Sequence, residues 1–174
     1  MRKIFLTLIL LICSRIILCA QSINDLDNNG GFKDFKIGDP KSKWQQYLGN
    51  PCSKIGNTYW YIGDCCRTAF GLPVTNIRLT FGFDDNKLQA IVVYFGDTME
   101  MDKVLELLNH IKAAFGKPNA GGGDEKTGNM EMQWIGSKIV LTLIDTYHTG
   151  NPGGYETLIC FMDEKMTIDP VHDY

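Results

Sequence analysis

Histidine is scarce in this 174-residue chain: there are three, and none stands at ligand spacing from a cysteine. No Cys-x-x-Cys occurs. No serine sits in a nucleophile-elbow setting. The glycine run Gly121–Gly128 (GGGDEKTG) lacks the spacing of a phosphate-binding loop, and no strand pattern feeds it. Asp84 with Asp85, and Asp124 with Glu125, are turn or loop acids rather than an acid–base pair. Positive charge is also in deficit, with 17 Lys and Arg against 20 Asp and Glu and a formal charge of −3. Phosphate backbones need a clustered basic face, so nucleic acid is not an expected partner. These gaps leave no catalytic constellation, cofactor site or metal site to name, and a non-enzyme is expected.

What the chain does have begins at its start. Arg2 and Lys3 precede an apolar run from Ile4 to Ile12, broken only by Thr7. Ile16, Ile17 and Leu18 resume it after Arg15, and Ala20 precedes Gln21. A basic start, a greasy middle and a small residue at the cut describe a secretory signal peptide over residues 1–20. Arg15 interrupts a run that would otherwise approach the roughly 20 apolar residues of a membrane span. Removing residues 1–20 takes away Arg2, Lys3 and Arg15 and no acid, so the remaining chain is more acidic still. No later run is long enough to cross a bilayer. The protein is therefore expected to be periplasmic or secreted. Lipid attachment at Cys19 is a minor alternative, because Leu18 stands where lipoprotein processing prefers a small residue.

Four cysteines follow the signal: Cys52, Cys65, Cys66 and Cys160. In an exported chain an even number points to disulfides. Joining the neighbours Cys65 and Cys66 would close a strained eight-membered ring. Cys52 is expected to pair with one of them and Cys160 with the other.

Polar residues 21–34, with Asn28-Asn29-Gly30-Gly31, suggest a flexible leader. Asp39 as N-cap and Pro40 at the first helical position open a short helix. Trp44, Tyr47 and Leu48 share its apolar face, Gly49 takes the left-handed exit and Pro51 stops it. Thr58–Ile62 is aromatic and β-prone, and Gly63–Pro73 is a loop. Ile77, Leu79, Phe81 and Phe83 alternate with polar residues in a half-buried strand. Lys87–Phe95 returns as a strand apolar on both faces. A second helix starts near Asp97, with Glu100 completing a capping box, and buries Met101, Val104, Leu105, Leu108, Ile111 and Phe115. Ala120–Asn129 is expected to be a mobile loop. Met130–Ile135, Lys138–Asp145 and Tyr155–Met162 complete the strands, with a turn at Gly136-Ser137.

The helix-stop Gly49-Asn50-Pro51 returns as Gly116-Lys117-Pro118. After each comes a loop, a tryptophan-bearing strand and two further strands. Trp60-Tyr61-Ile62-Gly63 aligns with Trp134-Ile135-Gly136. This predicts an α+β fold with an antiparallel sheet and helices on one face. A single domain at 35–165 would hold two repeats, 35–95 and 96–163, each a helix plus three strands, followed by a tail at 166–174.

The fourteen residues Gly38–Pro51, GDPKSKWQQYLGNP, carry a family likeness. Gly38 followed by Leu48-Gly49-Asn50-Pro51 resembles the helix motif of the small outer-membrane assembly lipoprotein family (SmpA/OmlA). Asp39-Pro40 stands where that family has Met-Thr or Met-Ser. The helix-plus-strands unit occurring twice also resembles the tandem-repeat β-lactamase inhibitor protein. The resemblance implies this fold over residues 35–163, an envelope setting, and action by binding proteins without catalysis.

The expected function is an exported binding module contacting another envelope or secreted protein. Trp44, Tyr59, Trp60, Tyr61 and Trp134 are its candidate contacts, since Trp and Tyr favour binding hot spots. The alternative is a carrier holding a small apolar ligand between sheet and helices. A nucleophile pair of Cys65 or Cys66 with His148 is a third, weaker option. His110 falls on the polar side of the second helix, and His172 lies in the tail.

Overall fold

The computed structural model describes residues 23–52, 56–124, 128–148 and 154–166. The expected signal peptide, Cys19 and most of the expected tail, with His172, lie outside the described residues. The described residues open with α1 (Ile23–Asn29), the hairpin β1 (Gly31–Phe32) and β2 (Phe35–Lys36), and the short helix α2 (Lys41–Trp44). A 3-10 turn, Gln45–Tyr47, leads into β3 (Leu48–Pro51) and β4 (Thr58–Tyr61). A second small hairpin, β5 (Thr68–Ala69) and β6 (Leu72–Pro73), precedes β7 (Asn76–Phe81) and the long β8 (Leu88–Met99). Then come α3 (Met101–Phe115), β9 (Ala120–Asp124), β10 (Asn129–Ile135), β11 (Ile139–His148) and β12 (Gly154–Asp163).

Eight strands form one antiparallel sheet in the order β3-β4-β7-β8-β12-β11-β10-β9. Four strands run inward from one edge in chain order, four from the other, and the two series meet where β8 pairs β12. The α+β class and the antiparallel sheet agree with the sequence. Successive side chains of a strand point to opposite faces, and the sheet has two unlike sides. Ile77, Leu79, Phe81, Ile91, Val93, Ile159, Phe161, Leu141, Leu143 and Trp134 face the main core. α1, α2, α3 and both hairpins supply Leu26, Phe32, Phe35, Trp44, Leu72, Leu107, Leu108, Ile111 and Phe115 to the same core. The opposite side carries only a small cluster around Ala90, Val92, Tyr94, Leu158 and Cys160.

Several expectations need correcting. Residues 23–36 are an ordered part of the domain. Leu26 and Phe32 explain why, being 0% and 5% exposed, with the Phe32 ring 5.9 Å from Phe161. Asp27 locks α1 to the β10–β11 turn. Its carboxylate accepts from the Ser137 amide at 2.7 Å, the Ser137 hydroxyl at 2.7 Å, and the Lys138 and Ile139 amides at 2.9 and 3.0 Å.

The first helix stops at Trp44, and the Gly49–Pro51 segment is strand β3. Gly49 is needed there for close approach: a Cβ would press on the Ile62 side chain and the Trp60 carbonyl. Asp39 accepts from the Lys36 amide and the Lys43 ammonium instead of capping α2. At the second helix, β8 continues through Asp97 because Gly96 and Met99 pair with Thr157 and Tyr155. Sheet pairing thus overrides the capping box, and Glu100 becomes the N-cap residue. The buried stripe of α3 is Val104, Leu107, Leu108, Ile111 and Phe115, while Met101 and Leu105 face outward. Residues 120–124 are the edge strand β9 rather than a loop, pairing with β10 from Asp124↔Asn129 to Ala120↔Gln133. Phe83 lies past the end of β7 and is 73% exposed.

Burial works against the ionised form of Asp27, but the hydrogen bonds from Ser137, Lys138 and Ile139 together outweigh it and hold its carboxyl below the usual range. A carboxyl depressed on folding stabilises above its unfolded pKa, about 3.9, and loses that contribution as pH falls through the folded value. Asp27→Ala should therefore lower stability at pH 7 by on the order of 2 kcal/mol, the scale of hydrogen bonds to a charged acceptor. Urea midpoints of the two proteins should converge below about pH 4. Equal midpoints at pH 7 would show that the clamp contributes nothing.

Candidate functional site

The five candidate aromatic contacts divide between the two sides of the sheet. Trp44 and Tyr61 are buried in the main core, where Phe35 meets the Trp44 ring at 4.5 Å and the Tyr61 ring edge-on at 4.9 Å. Trp134 is 0% exposed, and its indole N–H donates to the Gly116 carbonyl at 2.9 Å, tying β10 to the exit of α3. These three side chains hold the fold together and offer no surface. Tyr59 is half-buried beneath Lys41, whose ammonium donates to the Tyr59 hydroxyl at 2.7 Å and to Asn57 Oδ1 at 2.8 Å.

Trp60 is different. It is 37% exposed and faces the less covered side of the sheet. Its ring lies 5.6 Å from that of Tyr94. Arg78 pairs with Trp60 in the β4–β7 register, and its guanidinium lies 5.7 Å from the Tyr94 ring. The small cluster beside this trio is built from β8, β11 and β12 with Met166, and no helix among the described residues contributes to it. Arg78, Tyr94, Ile144 and Met162 escaped the sequence reading. The polar phase of β7 (Asn76, Arg78, Thr80) was the available signal, since it marks the side that turns away from the core.

The expected disulfides are not made: Cys52, Cys65, Cys66 and Cys160 are all free thiols. Cys160 belongs to the small cluster, whereas Cys65 and Cys66 pack against the main core, so the sheet stands between them. Cys52 follows edge strand β3, and β4, β7 and β8 separate β3 from β12. Four strand spacings are roughly 19 Å, far beyond the reach of a disulfide. Burial pushes the Cys160 thiol up to about 12, opposed by the charge of Arg78.

Cys65 and Cys66 form their own group. Their sulfurs are 2.9 Å apart, and the Tyr61 hydroxyl is 2.9 Å from Cys65 Sγ. Asp34, in the β1–β2 turn, offers a carboxylate oxygen to the same cluster. Burial, then the contact with Cys65, raises the Cys66 thiol to about 11. His110 lies outside all of this, exposed on α3 with Glu106 Oε1 at 3.9 Å. The His148 side chain lies outside the described residues.

One carboxylate is enclosed on the covered side. Asp145 follows Leu141 and Leu143 on β11, is 1% exposed, and accepts from the Thr157 hydroxyl at 2.6 Å. Burial raises its pKa, and the Thr157 hydrogen bond only partly offsets this.

No family model, curated protein or solved structure matches this chain. The geometry of its own residues is therefore the basis for any functional reading.

A carboxyl raised on folding favours the folded state below its unfolded pKa and costs stability as pH rises through the folded value. Asp145→Asn keeps a carbonyl acceptor for Thr157 and removes the buried charge. The variant should melt above the parent at pH 8, with the gap closing below about pH 4, where the unfolded carboxyl is protonated. A variant that melts lower at pH 8 would mean the carboxylate is stabilising.

Proposed function

We propose that this protein is an exported, non-catalytic binding module that contacts another protein, in the periplasm or outside the cell, through the sheet face opposite the helices. The observation that carries this reading is the exposed Trp60 beside Arg78 on that face, both packed on the buried Tyr94 ring. Trp, Tyr and Arg are the residue types that dominate binding energy at protein interfaces. Here they stand on paired strands, with the partly buried Ile144 and Met162 beside them. A partner suited to this group is a folded protein presenting an apolar or aromatic side chain to Trp60 and an acceptor to Arg78.

The mirrored strand order supports the finer reading of a duplicated helix-plus-strands unit. Trp134, Ile135 and Gly136 on the second unit correspond to Tyr61, Ile62 and Gly63 on the first. In each, an inward aromatic is followed by an exposed isoleucine. Such a duplication is what the resemblance to the tandem-repeat inhibitor implies, and the two similar families both act by binding proteins.

The alternative of a small-molecule carrier calls for an apolar hollow between α3 and the sheet. Two hollows of about 430 and 400 Å³ instead lie on the outside. One follows the outer face of α3 at Asp102, Leu105, Glu106, Asn109 and His110; the other lies beside α2 and the Asp85-Asn86 turn. Among the described residues Leu107, Leu108 and Ile111 on the inner face of α3 are buried in the main core, which favours the binder.

A photo-reactive residue at position 60 should crosslink a protein partner in the native compartment, while the same residue at position 105, on the outer face of α3, should not. With the crosslinked partner purified, Trp60→Ala should weaken binding by at least roughly 30-fold, equivalent to a hot-spot loss of about 2 kcal/mol. Equal crosslinking from both positions, or an unchanged affinity, would overturn the assignment of this face.

A further inference from the structure

The Cys65–Cys66 pair stands apart from the open sheet face and is not used by it. Side chains on neighbouring residues of an extended chain point to opposite sides. Bringing two adjacent sulfurs to 2.9 Å therefore takes an unusual backbone, and Cys66 supplies it with φ at +67°. A left-handed conformation at a non-glycine residue is strained and clusters at functional sites. The turn also places the pair where the β1–β2 turn delivers Asp34. One oxygen of Asp34 and the two sulfurs all lie within 4.8 Å of one another. Lys33 Nζ donates to Thr68 Oγ1 at 3.4 Å, linking this turn to the segment that follows the cysteines. Arg67 is directed away, donating to the Gly63 carbonyl at 2.6 Å.

We propose that Asp34, Cys65 and Cys66 form a binding site for a single thiophilic divalent cation of the zinc class. Two soft sulfurs and one carboxylate oxygen are a donor set that such an ion accepts in tetrahedral geometry, with the fourth position left to water. Metal–sulfur bonds of about 2.3 Å in a tetrahedron put the sulfurs roughly 3.8 Å apart. Small side-chain rotations that open the pair from 2.9 Å reach that distance. Closing the pair into a disulfide is the less suitable outcome. Ordinary disulfides separate Cα atoms by about 4.4–6.8 Å, whereas adjacent Cα atoms lie about 3.8 Å apart. A disulfide would also leave the convergence of Asp34 without a role. Binding is a ligand exchange without change of oxidation state. Both thiol protons and the displaced metal-bound waters leave to solvent, two metal–sulfur bonds form, and the Asp34 carboxylate joins as the third protein ligand, leaving the site with a net charge of −1. Because both thiols must give up a proton to bind, affinity should climb with pH by up to about 100-fold per pH unit, the slope of two released protons.

Cd2+ titrated into the reduced, chelator-treated protein reads this directly through the ultraviolet cadmium–thiolate charge-transfer band. The band should saturate at one ion per chain, with two protons released. It should disappear in Cys65→Ser and Cys66→Ser and persist in the Cys52→Ser/Cys160→Ser double variant. Asp34→Asn should weaken binding more than about tenfold, the scale at which even outer-sphere groups act. X-ray absorption of the zinc-loaded parent needs no variant to fold. It should give two sulfurs at about 2.3 Å and lighter ligands at about 2.0–2.2 Å. The proposal is overturned if no band develops, if it survives in Cys65→Ser, if Asp34→Asn binds as the parent does, or if absorption shows no sulfur. It is equally overturned if the protein carries a Cys65–Cys66 disulfide and takes up no Cd2+ after reduction.

Discussion

The pairing of β8 with β12 is the contact on which the rest of this molecule depends. It joins strands more than fifty residues apart in the chain, and it joins the two four-stranded halves of the sheet. Its register places Ile91 and Val93 opposite Phe161 and Ile159 toward the helices. The same register sends Ala90, Val92, Tyr94, Leu158 and Cys160 to the other side. Because side chains alternate with a period of two, a slip of one residue would exchange the two sides. If β12 slipped, Cys160 would enter the helix-covered core and Phe161 would face out; if β8 slipped, Tyr94 and Val93 would exchange in the same way. Fully burying an aliphatic or aromatic side chain is worth about 1.5–3 kcal/mol, so the four inward residues alone resist such a slip strongly. The open face inherits its composition from this register.

The helices are subordinate to the sheet. α2 spans four residues and has no side-chain cap, far below the length at which a helix persists by itself. It exists because Trp44 enters the aromatic group of Phe35 and Tyr61. The start of α3 is likewise set by where β8 stops pairing with β12. Asp97 and Glu100 have the right spacing for a capping box, yet the β8–β12 ladder takes the residues up to Met99 first. Even α1 is retained through the sheet, by the hold of Asp27 on the β10–β11 turn.

What was legible in the sequence follows the same hierarchy. Ile77, Leu79 and Phe81 could be read because a central strand with one wet side writes its period in plain alternation. Val92, Val93 and Tyr94 could be read as two-sided because no polar residue interrupts them. β9 could not, since Gly121, Gly122 and Gly123 have no side chains to alternate, and only the partner strand defines them. The Gly-x-Pro grammar misled at Gly49 because a glycine required by a close neighbour is identical in sequence to one required by a left-handed exit. Ordered residues 23–36 were hidden by their polar composition: Leu26, Phe32 and Phe35 are too few and too widely spaced to show a period. The open face was masked by the same aromatic richness that suggested it. Trp44, Tyr61 and Trp134 look like contacts in one dimension and are core in three. The polar phase of β7, which contains Arg78, gave the more useful clue to the side that faces out.

The edges of the sheet bear on how a partner would approach. An exposed edge strand offers unpaired backbone groups to any extended segment, which would favour strand addition over contact with the face. Both edges here are blunted. β3 is four residues long and ends in Pro51, which has no N–H to donate. β9 is five residues long and built largely of glycine, which pays the highest entropic cost for being held in a strand. A Cβ on Gly121 would run into the backbone of Glu131, so the strand is tied closely to β10 while offering few side chains to a newcomer. Strand addition at either edge would therefore gain few backbone hydrogen bonds and little side-chain burial. Trp60, Arg78 and Tyr94 occupy interior strands that are paired on both sides, so their geometry is set before any partner arrives. Such preorganisation lowers the ordering entropy of association, and under the proposed binding function it favours the face over the edge as the contact surface.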